Sequence, residues 1–190
     1  MIRIFDFVFA IIALVLLAPV MLIILLFIYC DTGKPIFIQR RLGRNKIEFN
    51  IYKFRTMFND TESLTNDLVH QRQITRLGRY LRKTKLDELP QLFNVLNGTM
   101  SFVGPRPNLL NQENLIVLRS QLNVYDALPG ITGLAQINGV DMSTPKKLAR
   151  IDAKMVRTMN LGMYFKLLVK TALGNGFGDP VQKQSEIFDN

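Results

Sequence analysis

The chain has 190 residues, with 24 Lys and Arg against 15 Asp and Glu, for a formal net charge of +9. That length suits one domain and not two catalytic domains. A single cysteine and a single histidine exclude an intrachain disulfide and a Cys/His zinc cluster, so a bound metal is expected to have oxygen ligands, with Mg²⁺ the leading candidate.

The positive charge is concentrated just after a hydrophobic start. Residues 31–86 hold 13 Lys and Arg against 5 Asp and Glu, whereas residues 87–190 hold 10 against 9. A basic segment next to a hydrophobic stretch favours contact with anionic lipid or a phosphorylated substrate. Nucleic acid is a less favoured partner, because no nucleic-acid-binding motif accompanies the charge.

The first predicted element is a membrane segment at residues 1–30. No residue from Phe7 to Tyr29 is charged. As a straight helix this run would measure about 35 Å, against roughly 30 Å for the hydrocarbon core of a bilayer. It is too long for a signal-peptide core and lacks a small-x-small cleavage pattern, so we expect it to be retained.

Pro19 lies in the middle of this segment. It removes a helical hydrogen bond, which predicts a kink or a reversal near Ala18. Basic residues flank both ends, and by the positive-inside rule they draw both ends toward the cytoplasm. A re-entrant helix-break-helix satisfies both features, and a tilted, proline-kinked single span fits the residues equally well.

Two short strands around a turn at Gly43–Lys46 are predicted next. Apolar and polar residues alternate over 47–51, and the alternation slips at Tyr52. Beyond the slip, Lys53 and Arg55 share one side, so two cations would point together away from the apolar face. Solvated charges at a strand end fit the same pattern.

The polar stretch Asn59–Gln73 is predicted to be a loop or a short surface helix, and its His70 is given no catalytic role. A helix from about Thr75 to Lys83 follows. Its inward face is predicted to hold Leu77, Tyr80 and Leu81.

Two adjacent carboxylates, Asp87 and Glu88, then open an apolar-periodic run. We predict a helix from about Glu88 to Leu96, with Asp87 as its N-cap and Gly98 at its end. There the carboxylates would lie beside backbone N–H groups that also attract phosphate. A capping Asp and a first-turn Glu are ordinary helix chemistry as well, so the pair alone does not decide between catalysis and structure.

Two loops follow that are suited to binding an anion. Pro105 and Pro107 hold Arg106 in an extended frame, so its guanidinium would lose little entropy on binding phosphate or carboxylate. The stretch LPGITGLAQING predicts a loop in which backbone can lie close to a ligand. It matches neither the Walker motif nor the dinucleotide fingerprint.

Two helices are predicted toward the C-terminus. The first begins at Pro145 and carries several Lys and Arg. The second, beginning near Leu161, has Tyr164 and Phe165 on its apolar face. It could lie in the lipid headgroup layer or pack on the domain core, and both interpretations fit the pattern. Residues 175–190 are predicted to form a flexible tail.

Taken together, five features resemble the bacterial sugar transferase family, and more closely its small monotopic phosphoglycosyl transferases. They are the hydrophobic start with a central proline, YKFRTM, LDELPQLFNVLNG, MSFVGPRP and PGITGLAQING, in that order over about residues 1–173. The resemblance implies transfer of a phosphosugar from a UDP-sugar to undecaprenyl (polyprenyl) phosphate with release of UMP. This would be the first membrane step of glycoconjugate assembly, at the cytoplasmic face of the bacterial inner membrane.

The resemblance also implies roles for individual residues. Asp87 would be the nucleophile that forms an aspartyl-phosphosugar intermediate, Glu88 would help bind Mg²⁺, and Arg106 would contact the nucleotide end. The remaining substrate-binding candidates are Lys53, Arg55, Pro105, Pro107 and Gln136. These roles agree with the chemistry, because a carboxylate attacks phosphorus only where the phosphate charge is offset.

We therefore predict an α+β, mostly helical protein. A re-entrant membrane helix at residues 1–30, favoured by the resemblance, would precede a catalytic domain at 31–174 with a small β-hairpin and amphipathic interfacial helices around the active site. The chain departs from the family pattern at Val140, where Arg is usual, and at Tyr164, where Asp is usual. The alternative function is a non-catalytic, membrane-anchored binder of anionic lipid or polyprenyl phosphate.

Overall fold

The computed structural model describes residues 2–58 and 73–174. Its elements are α1 (Ile2–Thr32), β1 (Ile36–Leu42), β2 (Glu48–Phe54), α2 (Arg76–Thr84), α3 (Gln91–Asn97), β3 (Ser101–Val103), α4 (Glu113–Gln121), β4 (Gly130–Thr132), α5 (Leu134–Ile137), α6 (Pro145–Thr158) and α7 (Leu161–Ala172). The predicted α+β, mostly helical class is confirmed. The predictions for His70 and for the tail at 175–190 lie outside the described residues.

α1 is a single helix of 31 residues. Within the described part of the chain it is the one helix long and apolar enough to cross a membrane. Pro19 lies inside it and helical conformation continues on both sides, so the predicted separation into two helices near Ala18 is not observed. A proline inside a helix removes one hydrogen bond and can bend the helix without ending it.

Both ends of α1 contact the rest of the domain. Near its start, Arg3 donates through Nη2 to the Leu96 carbonyl oxygen at 3.0 Å. Asp6 is buried and accepts the Ser101 hydroxyl at 3.0 Å. Near its end, Ile28 is buried in a cluster with apolar residues of β2 and α2. Many apolar side chains between these contacts are exposed, as is typical of a surface that meets lipid.

The predicted hairpin is confirmed. β1 and β2 pair antiparallel, with Ile36 opposite Phe54 and Leu42 opposite Glu48. The 3₁₀ turn Arg44–Lys46 joins them. Pairing continues through Tyr52, so the predicted slip does not interrupt the strand.

α2 begins where the sequence predicts, with Thr75 as its N-cap. The Thr75 hydroxyl accepts the Gly78 N–H at 2.9 Å. A Cβ on Gly78 would overlap the Thr56 backbone, so the helix approaches that segment on this side. The inward face therefore centres on Gly78 and Leu81. Tyr80 is 61% exposed, and the prediction that it faces the core is wrong.

β3 and β4 form a parallel pair that the sequence did not indicate. A Cβ on Gly104 would overlap the Leu128 carbonyl oxygen, and a Cβ on Gly130 or Gly133 would overlap backbone atoms of Gly104. These glycines therefore let two segments of backbone cross in contact. The sequence predicted that this loop could lie close to a ligand. In the structure its glycines allow close contact between two segments of the chain.

α6 begins at Pro145 as predicted. α7 packs on the domain and on α1: Tyr164 is buried, and the Phe165 ring lies edge-on to Phe5 with centroids 5.3 Å apart. The predicted packing of this helix on the domain core is thus confirmed. The Tyr164 hydroxyl donates to Asp6 Oδ1 at 2.8 Å. Burial, then this hydrogen bond and the Asp6 charge, raise the pKa of Tyr164, so the phenol keeps its proton at neutral pH.

Substitution Tyr164→Phe is expected to lower the free energy of unfolding by about 1–2 kcal/mol. Asp6 would lose one of its three donors, the others being the Ser101 hydroxyl and the Phe102 N–H. Chemical denaturation in detergent measures the change. Tyr80→Phe, which removes a hydroxyl from an exposed tyrosine, is the matched control, and equal losses in both variants would contradict the prediction.

Candidate active site

Asp87 and Glu88 lie in a 3₁₀ turn, Leu86–Glu88, which directly follows α2. Lys85 before it adopts the left-handed conformation, with φ 59°, which ends α2 and redirects the chain. The Glu88 N–H donates back to the Lys85 carbonyl oxygen at 3.2 Å. Asp87 and Glu88 are therefore held by a tight turn.

The helix predicted at this point begins later than expected. α3 starts at Gln91, with Pro90 at its N-cap position and no side-chain cap. The prediction of Asp87 as N-cap is wrong, because the left-handed residue before the turn imposes i to i+3 hydrogen bonding first. The helix ends at Gly98, with φ 87°, as predicted. With seven residues, α3 is too short for its dipole to account for an anion site.

Two cations converge on one oxygen of Glu88. Lys53 Nζ lies 3.0 Å and Arg106 Nη2 3.2 Å from Glu88 Oε1. The three side chains are 9%, 19% and 11% exposed for Lys53, Arg106 and Glu88. Attraction between such poorly solvated charges exceeds that of a surface pair. We call these three residues the ion cluster.

Asn94 fixes the hairpin against α3 and so places Lys53. Its Oδ1 accepts the Tyr52 N–H at 3.1 Å, and its Nδ2 donates to the Asn50 carbonyl oxygen at 2.7 Å. Asn94 is buried, so these bonds are shielded from water. The strand that carries Lys53 therefore has a defined position relative to Glu88.

Asp87 is 6% exposed and adjoins Glu88 in the chain. Its carboxylate is thus largely withdrawn from bulk water, and its neighbour in the chain, Glu88, pairs with two cations. Attack on phosphorus requires that charge be offset and that water be excluded, and this arrangement offers both.

Arg55 is not part of the ion cluster. It follows the end of β2, its Nε donates to the Lys34 carbonyl oxygen at 2.8 Å, and its guanidinium lies 5.8 Å from the centroid of the Phe37 ring. Phe37 lies directly opposite Lys53 in the hairpin, so Arg55 shares a side with Lys53 as predicted, although it lies outside the ion cluster.

The loop that carries Arg106 is held through its carbonyl oxygens, because Pro105 and Pro107 have no N–H. Gly130 N–H donates to the Pro105 oxygen at 3.0 Å. Arg41, which is buried, donates through Nη1 to the Pro107 oxygen at 3.2 Å. The two prolines thus contact the rest of the domain as acceptors.

The two remaining carbonyls of this loop are also satisfied. Arg119 Nη1 donates to the Arg106 oxygen at 2.8 Å, and Leu42 N–H donates to the Asn108 oxygen at 3.1 Å. Four consecutive carbonyl oxygens, from 105 to 108, therefore each have a donor. The frame predicted for Arg106 is present and is stiffer than the two prolines alone would make it.

Gln136 lies apart from these contacts. Its Nε2 donates to the Ile131 carbonyl oxygen at 3.0 Å, and its Oε1 is buried without a hydrogen-bond partner among the described residues. Val140, the first departure from the family pattern, is buried in an apolar cluster with Leu115 and Leu148. Both departures, Val140 and Tyr164, thus occupy structural positions.

Sequence reasoning passed over Arg119 and Asp152, which pair at 2.6 Å and are each 1% exposed. Each falls on the apolar face of its helix, four positions after Leu115 and Leu148 respectively. A charge at such a position is the signal that could have identified them. Burial raises the pKa of the Asp152 carboxyl, and Arg119 opposes that shift through its charge and hydrogen bonds.

Gln91 was passed over as well. It is 2% exposed, and its Nε2 has no partner within the part of the chain that the structure describes. A buried amide left unpaired costs about 1–3 kcal/mol.

The carboxylates suit a metal that is shared with a ligand. Residues 2–58 and 73–174 contain no cluster of three or more His, Cys, Asp or Glu side chains. Mg²⁺ in proteins is often held by one or two carboxylates together with substrate phosphates. The adjacent pair Asp87 and Glu88 fits that donor set.

An apolar groove of about 960 Å³ lies between α1 and the rest of the domain. Leu22, Phe54 and Pro90 are among the side chains that line it. Phe54 adjoins Lys53 on β2, and Pro90 follows Glu88 by two residues. Tyr52 and Phe54 both line the groove and alternate with Lys53 on β2, so the Lys53 side chain lies on the other face of the hairpin.

Comparison with known proteins gives one consistent family. The profile described as bacterial sugar transferase matches residues 1–175. Over 183 residues the chain is 37% identical to an undecaprenyl-phosphate glucose phosphotransferase of Komagataeibacter xylinus, covering 89% of this chain and 34% of that protein. Over 188 residues it is 36% identical to an undecaprenyl-phosphate galactose phosphotransferase of Salmonella typhimurium, covering 90% and 39%.

A shorter relative is similar over most of its length. The uncharacterized sugar transferase EpsL of Bacillus subtilis is 36% identical over 170 residues, covering 89% of this chain and 84% of the relative. The chain therefore spans about a third of the length of the glucose phosphotransferase but most of EpsL.

Substitution Lys53→Met is expected to weaken binding of inorganic pyrophosphate in the presence of Mg²⁺ by at least about ten-fold, because the ion cluster loses one of its cations. Isothermal titration calorimetry measures the affinity. Arg55→Met removes the same charge outside the cluster and is expected to change the affinity by less than about two-fold. Equal losses would show that overall charge, and not the cluster, binds the anion.

Proposed function

The chain belongs to the bacterial sugar transferase family, and from this we propose that it transfers a phosphosugar from a UDP-sugar to a polyprenyl phosphate, with undecaprenyl phosphate the expected acceptor. The names of the glucose and galactose phosphotransferases support this reaction class. The observation that carries the proposal is the ion cluster of Lys53, Glu88 and Arg106 beside Asp87. The two names differ in the sugar, so the proposal leaves the sugar open.

The proposed reaction has two displacements at the same phosphorus. A carboxylate oxygen of Asp87 forms a bond to the β-phosphorus of the donor, and the bond from that phosphorus to the bridging oxygen breaks. UMP leaves with the electron pair. An oxygen of the polyprenyl phosphate then attacks the aspartyl-phosphosugar, and the Asp87 carboxylate is released.

The cations of the cluster offset the charge of the donor diphosphate. Lys53 and Arg106, which both lie on Glu88 Oε1, can also donate to phosphate oxygens. Arg106 contacts the nucleotide end, and its loop is framed by Pro105 and Pro107. Each contact between unit charges is worth about 1 kcal/mol in water and several times more where water is excluded, so the cluster acts as a group.

Mg²⁺ is proposed as the cofactor, with Glu88 as its protein ligand. When bound, it would neutralise charge on the diphosphate and favour the departure of UMP. The adjacent carboxylates of Asp87 and Glu88 support this, since Mg²⁺ usually completes its shell with phosphate oxygens and water.

The apolar groove supports a lipid acceptor. A polyprenyl phosphate has one charged end and a long hydrocarbon chain. Its hydrocarbon chain could lie against Leu22, Phe54 and Pro90 in this groove. The groove is open between α1 and the domain, so an acceptor could enter it from the bilayer without passing through water.

The contacts of α1 support a re-entrant, monotopic anchor. Arg3 and Asp6 near its start, and Ile28 near its end, all contact the same domain. A spanning helix would carry one end across roughly 30 Å of hydrocarbon and break one set of these contacts. We propose that both ends lie at the cytoplasmic face of the inner membrane, with bilayer phospholipid around the exposed middle.

Substitution Asp87→Asn is expected to reduce UMP release by at least about a thousand-fold, because the amide is a poor nucleophile. The melting temperature is expected to stay near that of the wild type. Incubation of the wild type with the correct UDP-sugar alone should add the mass of a phosphosugar to the protein, and the Asn variant should stay unlabelled.

Chelation of Mg²⁺ should stop UMP release, and added Mg²⁺ should restore it.

Asp126→Asn, which alters an exposed carboxylate, is the matched control and is expected to retain activity. Full activity in Asp87→Asn would remove Asp87 as the nucleophile. No turnover with a panel of UDP-sugars, together with retained binding of polyprenyl phosphate, would instead identify a non-catalytic membrane-anchored lipid binder.

Cysteine labelling is expected to place both ends of α1 in the same compartment. Cys30 is exposed near the end of the helix, and Ile4→Cys in a Cys30→Ser background marks an exposed position near its start. A membrane-impermeant maleimide should label neither position in intact spheroplasts and both after lysis. Labelling of one position alone in intact spheroplasts would establish a spanning helix.

A further inference from the structure

Arg119 contacts the loop of Arg106 on both sides of Pro107. Its Nη1 donates to the Arg106 carbonyl oxygen at 2.8 Å and to Asn108 Oδ1 at 3.0 Å. The Tyr125 hydroxyl donates to the same Asn108 oxygen at 2.8 Å. One guanidinium nitrogen therefore binds the backbone before the second proline and the Asn108 side chain after it.

The rest of the Arg119 side chain is held by Asp152. Nε and Nη2 donate to Asp152 Oδ2 at 3.1 and 2.6 Å. Both residues are 1% exposed, so Arg119 is neutralised by a partner and closed to solvent. A substrate cannot reach it. The planar guanidinium can bind the carboxylate and the carbonyl at once, which the single ammonium of a lysine does less well.

We infer that Arg119, oriented by Asp152, is a positioning residue that sets the Arg106 side chain for its contacts with Glu88 and the donor. The inference rests on the proposed function, in which Arg106 contacts the nucleotide end. Asp152 is 33 positions from Arg119 in the chain and belongs to α6, so the orientation comes from packing of α6 against α4.

Arg106 is the residue whose backbone the flanking prolines do not lock. Pro105 and Pro107 each have a fixed φ, and Pro107 also biases Arg106 toward extended backbone. A hydrogen bond to the Arg106 carbonyl oxygen restrains the remaining rotation and hence the direction of the side chain. Displacing a binding group by about 1 Å can cost up to a hundred-fold in rate, so this restraint matters for catalysis.

The test uses a variant that removes both buried charges. Arg119→Met alone would leave Asp152 buried without its partner, whereas Arg119→Met with Asp152→Leu replaces the ion pair by apolar side chains, an exchange that is often neutral for stability. We expect this double variant to melt near the wild-type temperature and to raise the KM for the UDP-sugar by at least about ten-fold. Arg119→Lys, which keeps a charge for Asp152, is the second route if the double variant fails to fold.

A mutant cycle distinguishes positioning from general damage. The double variant is expected to raise KM at least about ten-fold when Arg106 is present and by less than about two-fold in an Arg106→Ala background. The same increase in both backgrounds would overturn the inference. Thr158→Val, which removes the exposed hydrogen bond from the Thr158 hydroxyl to the Lys154 carbonyl oxygen at the end of α6, is the control and should leave KM unchanged.

Hydrogen exchange over residues 104–110 tests the inference without turnover. Faster exchange in the double variant, with unchanged exchange in α2, supports it even if no UDP-sugar proves to be a substrate, and the failure would then lie with the proposed function. Unchanged exchange over 104–110 would overturn it.

Discussion

A single carboxylate oxygen, Glu88 Oε1, receives two cations that come from separate parts of the fold. Lys53 arrives on a hairpin strand that Asn94 ties to α3. Arg106 arrives on a loop whose four carbonyl oxygens are all hydrogen-bonded. Bringing two positive charges this close is unfavourable without the anion between them, so Glu88 makes the arrangement stable before any phosphate is bound.

The N-terminal helix α1 is hydrogen-bonded to α3, β3 and α7. Arg3 donates to the Val95 and Leu96 carbonyl oxygens at the end of α3. Asp6 receives donors from β3 and from α7. Residues 1–30 differ from the rest of the chain in composition. They are nevertheless joined to it by buried hydrogen bonds. The apolar helix α1, the proposed membrane anchor, also packs against β2, the strand that carries Lys53.

Local signals predicted the elements well. A proline at a helix start, alternation in a hairpin and a terminal glycine each gave the correct element, because their effects act within a few residues. The start of α3 was missed because Lys85 adopts a left-handed backbone that its residue type does not favour.

The support of the site was harder to predict for a different reason. Arg119 pairs with Asp152, which is 33 positions away in the chain. Arg41 and Arg119 also bind backbone carbonyl oxygens, and because every residue has one, the sequence does not indicate which oxygen is the partner. Burial of a charge on an apolar helix face was readable, but its partner was not. The candidate residues of the ion cluster were named from motifs, whereas the contacts that orient them depend on tertiary packing.

The crossing of backbone at Gly104, Gly130 and Gly133 has a consequence for genetics. Gly104 precedes the Arg106 loop by one residue, so a methyl group added at the crossing would shift that loop without touching any ligand. In a screen scored by product alone, these glycines would be grouped with the reactive side chains. Only a measure of protein abundance or folding would separate the two classes.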